Sequence, residues 1–199
     1  MSGSAHAAPR LSAGAILLIE LALALGGFAI GTSEFSIMGL MPNVAQDLGV
    51  SEPQVGHVIS SYALGVVVGA PILALLGSRL MRKHLLLLLM GVFAVGNLAS
   101  ALAPDYLTLM VFRFFAGLPH GAYFGVAMLV AASMAAPHKR AKAVSRVLMG
   151  LSVAILIGNP LATWLGQSVS WRYAFALVSV IALATVAMIA LLLPLDRSE

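Results

Sequence analysis

Apolar residues fall into six long runs along this chain, roughly Ile16 to Leu40, Val55 to Leu76, Leu85 to Leu102, Leu107 to Ala132, Val144 to Gly166 and Tyr173 to Leu193, with polar residues mostly in the breaks between them. A helix needs about 20 such residues to cross a ~30 Å hydrocarbon core. Lipid offers backbone N–H and C=O groups no partner, so segments of this length must close their hydrogen bonds internally, as helices. The breaks are short and carry turn chemistry: "LMPNVAQDLGVSEPQ", "GSRLMRKH", "APDY", "APHKRAKAVSR" and "GQSVSW". The pattern predicts an all-α, polytopic membrane protein of about six transmembrane helices. Its parts are an N-terminal segment over 1–14, a membrane domain over 15–195 and a tail over 196–199.

Composition agrees. Of 199 residues, 61% are hydrophobic and 9% charged, and the mean hydropathy is +1.03. Soluble domains carry roughly 25% charged residues, so this surface is made to face a lipid bilayer. No cysteine is present, which removes disulfides and thiolate metal sites. No metal and no cofactor is expected.

The net charge of +4 is unevenly placed. Nine of the eleven lysines and arginines lie at the N-terminus, in the even-numbered breaks or in the tail: Arg10, Arg79, Arg82, Lys83, Lys139, Arg140, Lys142, Arg146 and Arg197. Arg172 lies on the other side, with Asp47, Glu52 and Asp105. The positive-inside rule therefore puts both termini in the cytoplasm. These cations serve topology, and no nucleic-acid partner is expected. The first run is too long for the apolar core of a signal peptide and has no clear cleavage site, so it reads as a retained membrane helix.

The second and fifth runs repeat one another. "GAPILALLG" (Gly69 to Gly77) lies over "GNPLATWLG" (Gly158 to Gly166) at an offset of 89 residues. The two helices run in opposite directions, so the chain reads as two three-helix units in inverted topology. Gly150, Ala154, Gly158, Ala162 and Gly166 recur every four residues, as do Ser61, Gly65 and Gly69, spacing that lets helix backbones approach closely. Pro160, like Pro71, adds a weak point in its helix ladder.

Several stretches resemble the N-terminal half of the major facilitator superfamily, within it the bacterial drug and sugar efflux antiporters of the arabinose-efflux permease type. They are "GTSEFSIMGLMPNVAQDLGVSEPQVGHVISSYALGVVVGAPILALLGSRLMRK" and "RFFAGLPHGAYFGV". The resemblance covers nearly the whole chain, although members have twelve spans and this chain has about six. The family's loop pattern Gly-x-x-x-Asp-Arg-x-Gly-Arg-Arg/Lys is met at Arg79, Arg82 and Lys83, with Ala74, Ser78 and Met81 replacing its first glycine, aspartate and second glycine. Arg-x-x-x-Gly-x-x-x-Gly is met at Arg113, Gly117 and Gly121. The antiporter signature ending Gly-Pro-x-x-Gly-Gly is half kept: Pro160 fits and Gly158 is near, but Asn159 precedes the proline, and Thr163 and Trp164 stand where glycines belong.

The resemblance implies a central cavity lined by spans one, two, four and five, a small-molecule substrate, protons as the coupling ion, and the bacterial inner membrane. It also implies a cytoplasmic gate loop comprising Ser78, Arg79, Arg82 and Lys83. The second half would come from another six-helix unit or from a second copy of this chain, with the stripe Gly150, Ala154, Gly158, Ala162 and Gly166 at or near the contact, and Pro160 belongs to the same helix-packing motif. An alternative reading is a membrane fragment or assembly subunit that transports nothing. An enzyme is not expected, because the chain has no Gly-x-Ser-x-Gly elbow, no His-Glu-x-x-His, and no pair of carboxylates on plausibly adjacent helices in the membrane.

Charged groups at mid-bilayer cost at least ~2.5 kcal/mol each, so each is a functional candidate. Glu34 and Arg113 lie at about the same depth, roughly 9 Å in at 1.5 Å per residue, and are expected to meet. A guanidinium cannot give up its proton, so it would hold Glu34 ionised until something competes, which makes the pair a candidate for proton coupling. Glu20 is expected to reach the interface and His57 the outer rim. Asn97 is expected to bond between helices. His120 and Phe124 fall on the Arg113 face of their helix, and with Tyr62, Tyr123 and Asn159 they are candidates for a substrate cavity.

Overall fold

The computed structural model describes residues 11–195; Arg10, Arg197 and the expected tail over 196–199 lie outside the described residues. Among the described residues are six membrane-length apolar helical spans. They comprise α1 (Ala13–Leu48), α2 (Glu52–Gly77), α3 (Arg82–Leu102), a fourth span broken into α4 (Tyr106–Gly117) and α5 (Pro119–Met134), a fifth containing α6 (Arg140–Val153) and α7 (Asn159–Ser168), and α8 (Trp171–Leu192).

Caps set the ends. Ser12 accepts the Ala15 N–H at the start of α1, and Ser51 and Gln54 form a reciprocal capping box at α2. The Asp105 carboxylate accepts the Thr108 N–H at α4, and that bond holds its carboxyl below the usual range. α1 runs past the expected end at Leu40, through Pro42, to a left-handed Gly49 with φ of 66°. A proline removes only one ladder bond, and Asn43, Gln46 and Asp47 belong to about two further turns of α1.

Breaks inside spans have local causes. Pro119 has no N–H, and the ladder between α4 and α5 tightens to a Leu118 N–H bond on the Phe115 carbonyl. Between α6 and α7 the helix widens into a π turn over Ala154–Gly158, just ahead of Pro160, and the Asn159 N–H reaches back to the Ala154 carbonyl.

Packing follows the inverted repeat. Span two leans on span four and span five on span one; span three meets span six, span one meets six and span four meets three. Exchanging the two three-helix units maps this contact set onto itself. Glycines allow the closest approaches: a Cβ at Gly65 would strike the Phe114 carbonyl, one at Gly117 the Tyr62 carbonyl and one at Gly150 the Ala24 carbonyl. Ser61 adds a hydrogen bond to the Met110 carbonyl at 2.7 Å.

The glycine stripe of span five is therefore internal. Ala154 meets Gly31 of α1, Gly158 meets Phe28 and Thr32, and Gly166 meets Leu40, while Pro160 is exposed. The expected contact between halves does not use the glycine face, because α1 already covers it.

Electrostatic fasteners mark the two ends of the bundle. At the basic end Lys83 caps α8 by donating to the Ala190 carbonyl at 2.7 Å. At the opposite end Arg172 donates to the Ala101 and Ala103 carbonyls and reaches Asp47, which also accepts the Trp171 indole N–H.

Candidate functional site

Arg113 is 1% exposed. Its Nη1 donates to the Ser33 hydroxyl at 2.9 Å and to Asn97 Oδ1 at 3.3 Å, and its Nη2 donates to the Ser33 carbonyl at 3.1 Å. Ser33 in turn donates to Asn97 Oδ1 at 2.6 Å, and Asn97 donates to the Phe93 carbonyl at 2.9 Å. The guanidinium carbon lies 4.4 Å from the Tyr62 ring centre and 4.8 Å from that of Phe175. Aromatic faces attract a cation, and a desolvated contact contributes up to about 2 kcal/mol. The Nε has no partner.

The expected ion pair with Glu34 is not formed. Both residues do lie in this region, but the face of α1 turned to Arg113 is that of Ser33, one residue and 100° away. Glu34 is half-buried and makes no hydrogen bond or ion pair among the described residues. The site thus combines a buried cation with a nearby uncommitted carboxylate.

From Arg113 the cluster extends along α2 and α5. Tyr62, 3% exposed, carries the guanidinium against its ring and places its hydroxyl 3.0 Å from His120 Nδ1. The His120 ring lies 5.9 Å from that of Tyr62 and 5.5 Å from that of Phe124. The break at Pro119 leaves Arg113 and His120 on separate helices, and Tyr62 bridges them.

Other expected site residues lie elsewhere. Tyr123 is fully buried and donates to the Leu23 carbonyl at 2.8 Å in the space left by Gly26, so its hydroxyl is not offered to a cavity. Asn159 is half-buried beside the π turn with its Oδ1 unpartnered, as is the buried Ser36 hydroxyl. Glu20 is not solvated at an interface: it is 2% exposed and accepts from Arg146 at 2.6 Å. His57 is exposed, near the Tyr106 hydroxyl. In the loop after α2, Arg79 is exposed, Ser78 turns its hydroxyl back to the Leu75 carbonyl, and Ser78 and Arg82 help line a crevice of about 400 Å³ between spans two and four.

Sequence spacing did not single out Ser33 and Phe175. A serine beside a candidate carboxylate in an apolar helix was the available signal for the first; Phe175 carried none.

Residues 23–199 match the profile of the Major Facilitator Superfamily. The chain belongs to that family. The inner membrane transport protein YdhP of Escherichia coli K12 is 48% identical over 177 residues, which cover 89% of this chain and 45% of that protein. The putative transporter AraJ of the same organism is 46% identical over 181 residues, 91% of this chain and 46% of that one. Among solved structures, the inward-open xylose transporter XylE from E. coli matches with a TM-score of 0.80 at 19% identity, over 91% of this chain and 48% of that one, and so shares the fold. The chain spans about half the length of the curated relatives it matches. As a major facilitator chain, it is a multi-pass membrane protein of a transporter family and not an enzyme.

Proposed function

We propose that this chain forms the N-terminal six-helix half of a proton-coupled secondary transporter of the bacterial inner membrane, with both termini cytoplasmic, that exports a small sugar or drug-like solute. The observation that carries the reading is Arg113: a fully buried guanidinium held by neutral groups, with Glu34 unpaired beside it. A fixed structural cation would be expected to have a carboxylate locked onto it. Here the carboxylate is free to gain and lose a proton, and each change alters the pull on Arg113 across the joint between spans one and four. Ser33 transmits that pull, because it is adjacent to Glu34 and bonded to Arg113. Ionised Glu34 draws the two spans together, while protonated Glu34 releases them, and a solute that favours one arrangement is thereby linked to the proton. The efflux direction and the solute class follow from the motifs resembling the arabinose-efflux permease type.

The test uses everted vesicles from cells expressing the chain together with a second six-helix half. Adding a transported sugar or drug to energised vesicles should release protons and load the solute. Glu34→Gln should keep solute binding and solute–solute exchange but lose proton-driven accumulation. Full proton-driven transport by a folded Glu34→Gln protein would remove Glu34 from the mechanism. Vesicles that move nothing across a broad solute panel would favour the non-transporting subunit.

A further inference from the structure

Tyr62 and His120 share one hydrogen bond, whose direction depends on the tautomer of the imidazole. Among the described residues, the 3.0 Å contact to His120 Nδ1 is the one hydrogen bond that the Tyr62 hydroxyl makes, and the His120 ring has no other. A phenol hydrogen with no other acceptor is best satisfied there, an arrangement that leaves the lone pair on Nδ1 and the proton of the neutral ring on Nε2. Tyr62 is 3% exposed, so water competes little for its hydroxyl. His120 is the more exposed of the two, and its Nε2–H has no acceptor within the described chain. A buried phenol bonded to a half-buried imidazole, with one N–H left over beside the Phe124 ring, has the character of a ligand-orienting group.

We propose that His120 Nε2–H is a hydrogen-bond-donating subsite for a carbonyl or hydroxyl oxygen of an uncharged solute, and that Tyr62 is the positioning residue that fixes its tautomer. Use of the subsite in transport rests on the function proposed above; its chemistry does not. The charges facing the pair are Arg113 on α4, against the Tyr62 ring, and Glu34 on α1. The guanidinium's positive field favours an oxygen acceptor over a cation. Tyr62 touches both His120 and Arg113, so a solute held by His120 bears on the residue that steadies the coupling arginine.

The experiment is nitrogen-15 NMR of the full chain in nanodiscs of phosphatidylethanolamine and phosphatidylglycerol. The other four histidines, His6, His57, His84 and His138, are replaced by glutamine, so that His120 is the single labelled imidazole. The expected signature is an unprotonated Nδ1 and a protonated Nε2. Tyr62→Phe keeps the ring beside Arg113 but removes the hydroxyl, and should give a mixture of tautomers. Chloramphenicol or D-glucose at millimolar concentration should shift the Nε2–H resonance, while tetraphenylphosphonium should leave it in place. A protonated Nδ1 in the parent, or an unchanged tautomer in Tyr62→Phe, would overturn the assignment. A resonance insensitive to both uncharged solutes, or moved by the cation alone, would overturn the subsite. The tautomer is read without transport, so a chain that shows it yet moves nothing would count against the transporter reading and leave the tautomer standing.

Discussion

Glu20 and Arg146 meet at 2.6 Å, with the carboxylate 2% and the guanidinium 34% exposed. Removing one member of a buried pair strands the other, at a cost of about 3–5 kcal/mol; the partial exposure of Arg146 lowers that to about 2 kcal/mol here. Arg146→Met should therefore lower the unfolding midpoint in detergent, and adding Glu20→Gln should restore most of it, because no buried charge then remains unpaired. Equal midpoints for the single and double variants would mean that the pair adds nothing. Arg113 differs in having no carboxylate to strand. Arg113→Lys keeps the charge but loses the planar group that sits against Tyr62 and Phe175 and reaches two atoms of Ser33. It should fold less stably by about 1–2 kcal/mol, measured by thermal denaturation, and should fail to couple even where it folds. Depth can be counted along the sequence, which puts Glu34 and Arg113 at one level. Azimuth cannot, because a one-residue step turns a side chain through 100°, and that step gives Arg113 to Ser33 in place of Glu34.

Glycines divide into two kinds at the scale of the helix pair. A Cβ at Gly65 or Gly117 would strike a backbone carbonyl of the facing helix, which cannot yield without parting spans two and four, whereas a Cβ at Gly125 or Gly91 meets open space. Gly65→Ala and Gly117→Ala should each destabilise by about 1–3 kcal/mol, in the manner of an overpacked core, while Gly125→Ala should change stability by no more than about 1 kcal/mol. Chemical denaturation in mixed micelles decides between them; equal loss at Gly65 and Gly125 would defeat the close-packing account. The six elements themselves were legible, because lipid forces every long apolar run into a helix. Their interruptions were less so. Pro42 sits inside a continuous α1, Pro119 splits span four, and a π turn precedes Pro160. The same residue type thus has three outcomes, and the residue type alone does not decide which.

Across the whole molecule the two inverted three-helix units bring the small-residue stripes of spans two and five onto spans four and one, and so leave large apolar side chains on their outer faces. Leu64, Val67, Leu75 and Leu76 are exposed on α2, and Ile155, Leu156, Ile157 and Trp164 on the fifth span. Gly158→Leu is thus expected to disrupt the six-helix unit itself, since Phe28 and Thr32 occupy the space, and any second unit must meet the other faces. Orientation in the membrane is a separate property, set by the loops. Glu52 and His138 are both exposed, at opposite ends of the bundle, and the chain has no cysteine of its own. Single cysteines placed there can report sidedness without removing any native thiol. The positive-inside rule puts His138, beside Lys139, Arg140 and Lys142, in the cytoplasm and Glu52 outside. In intact spheroplasts a membrane-impermeant maleimide should therefore label Glu52→Cys at once and His138→Cys only after permeabilisation. The reverse pattern would invert the bundle, place Arg113 and Glu34 nearer the inner mouth, and oblige the proton to reach Glu34 from the cytoplasm.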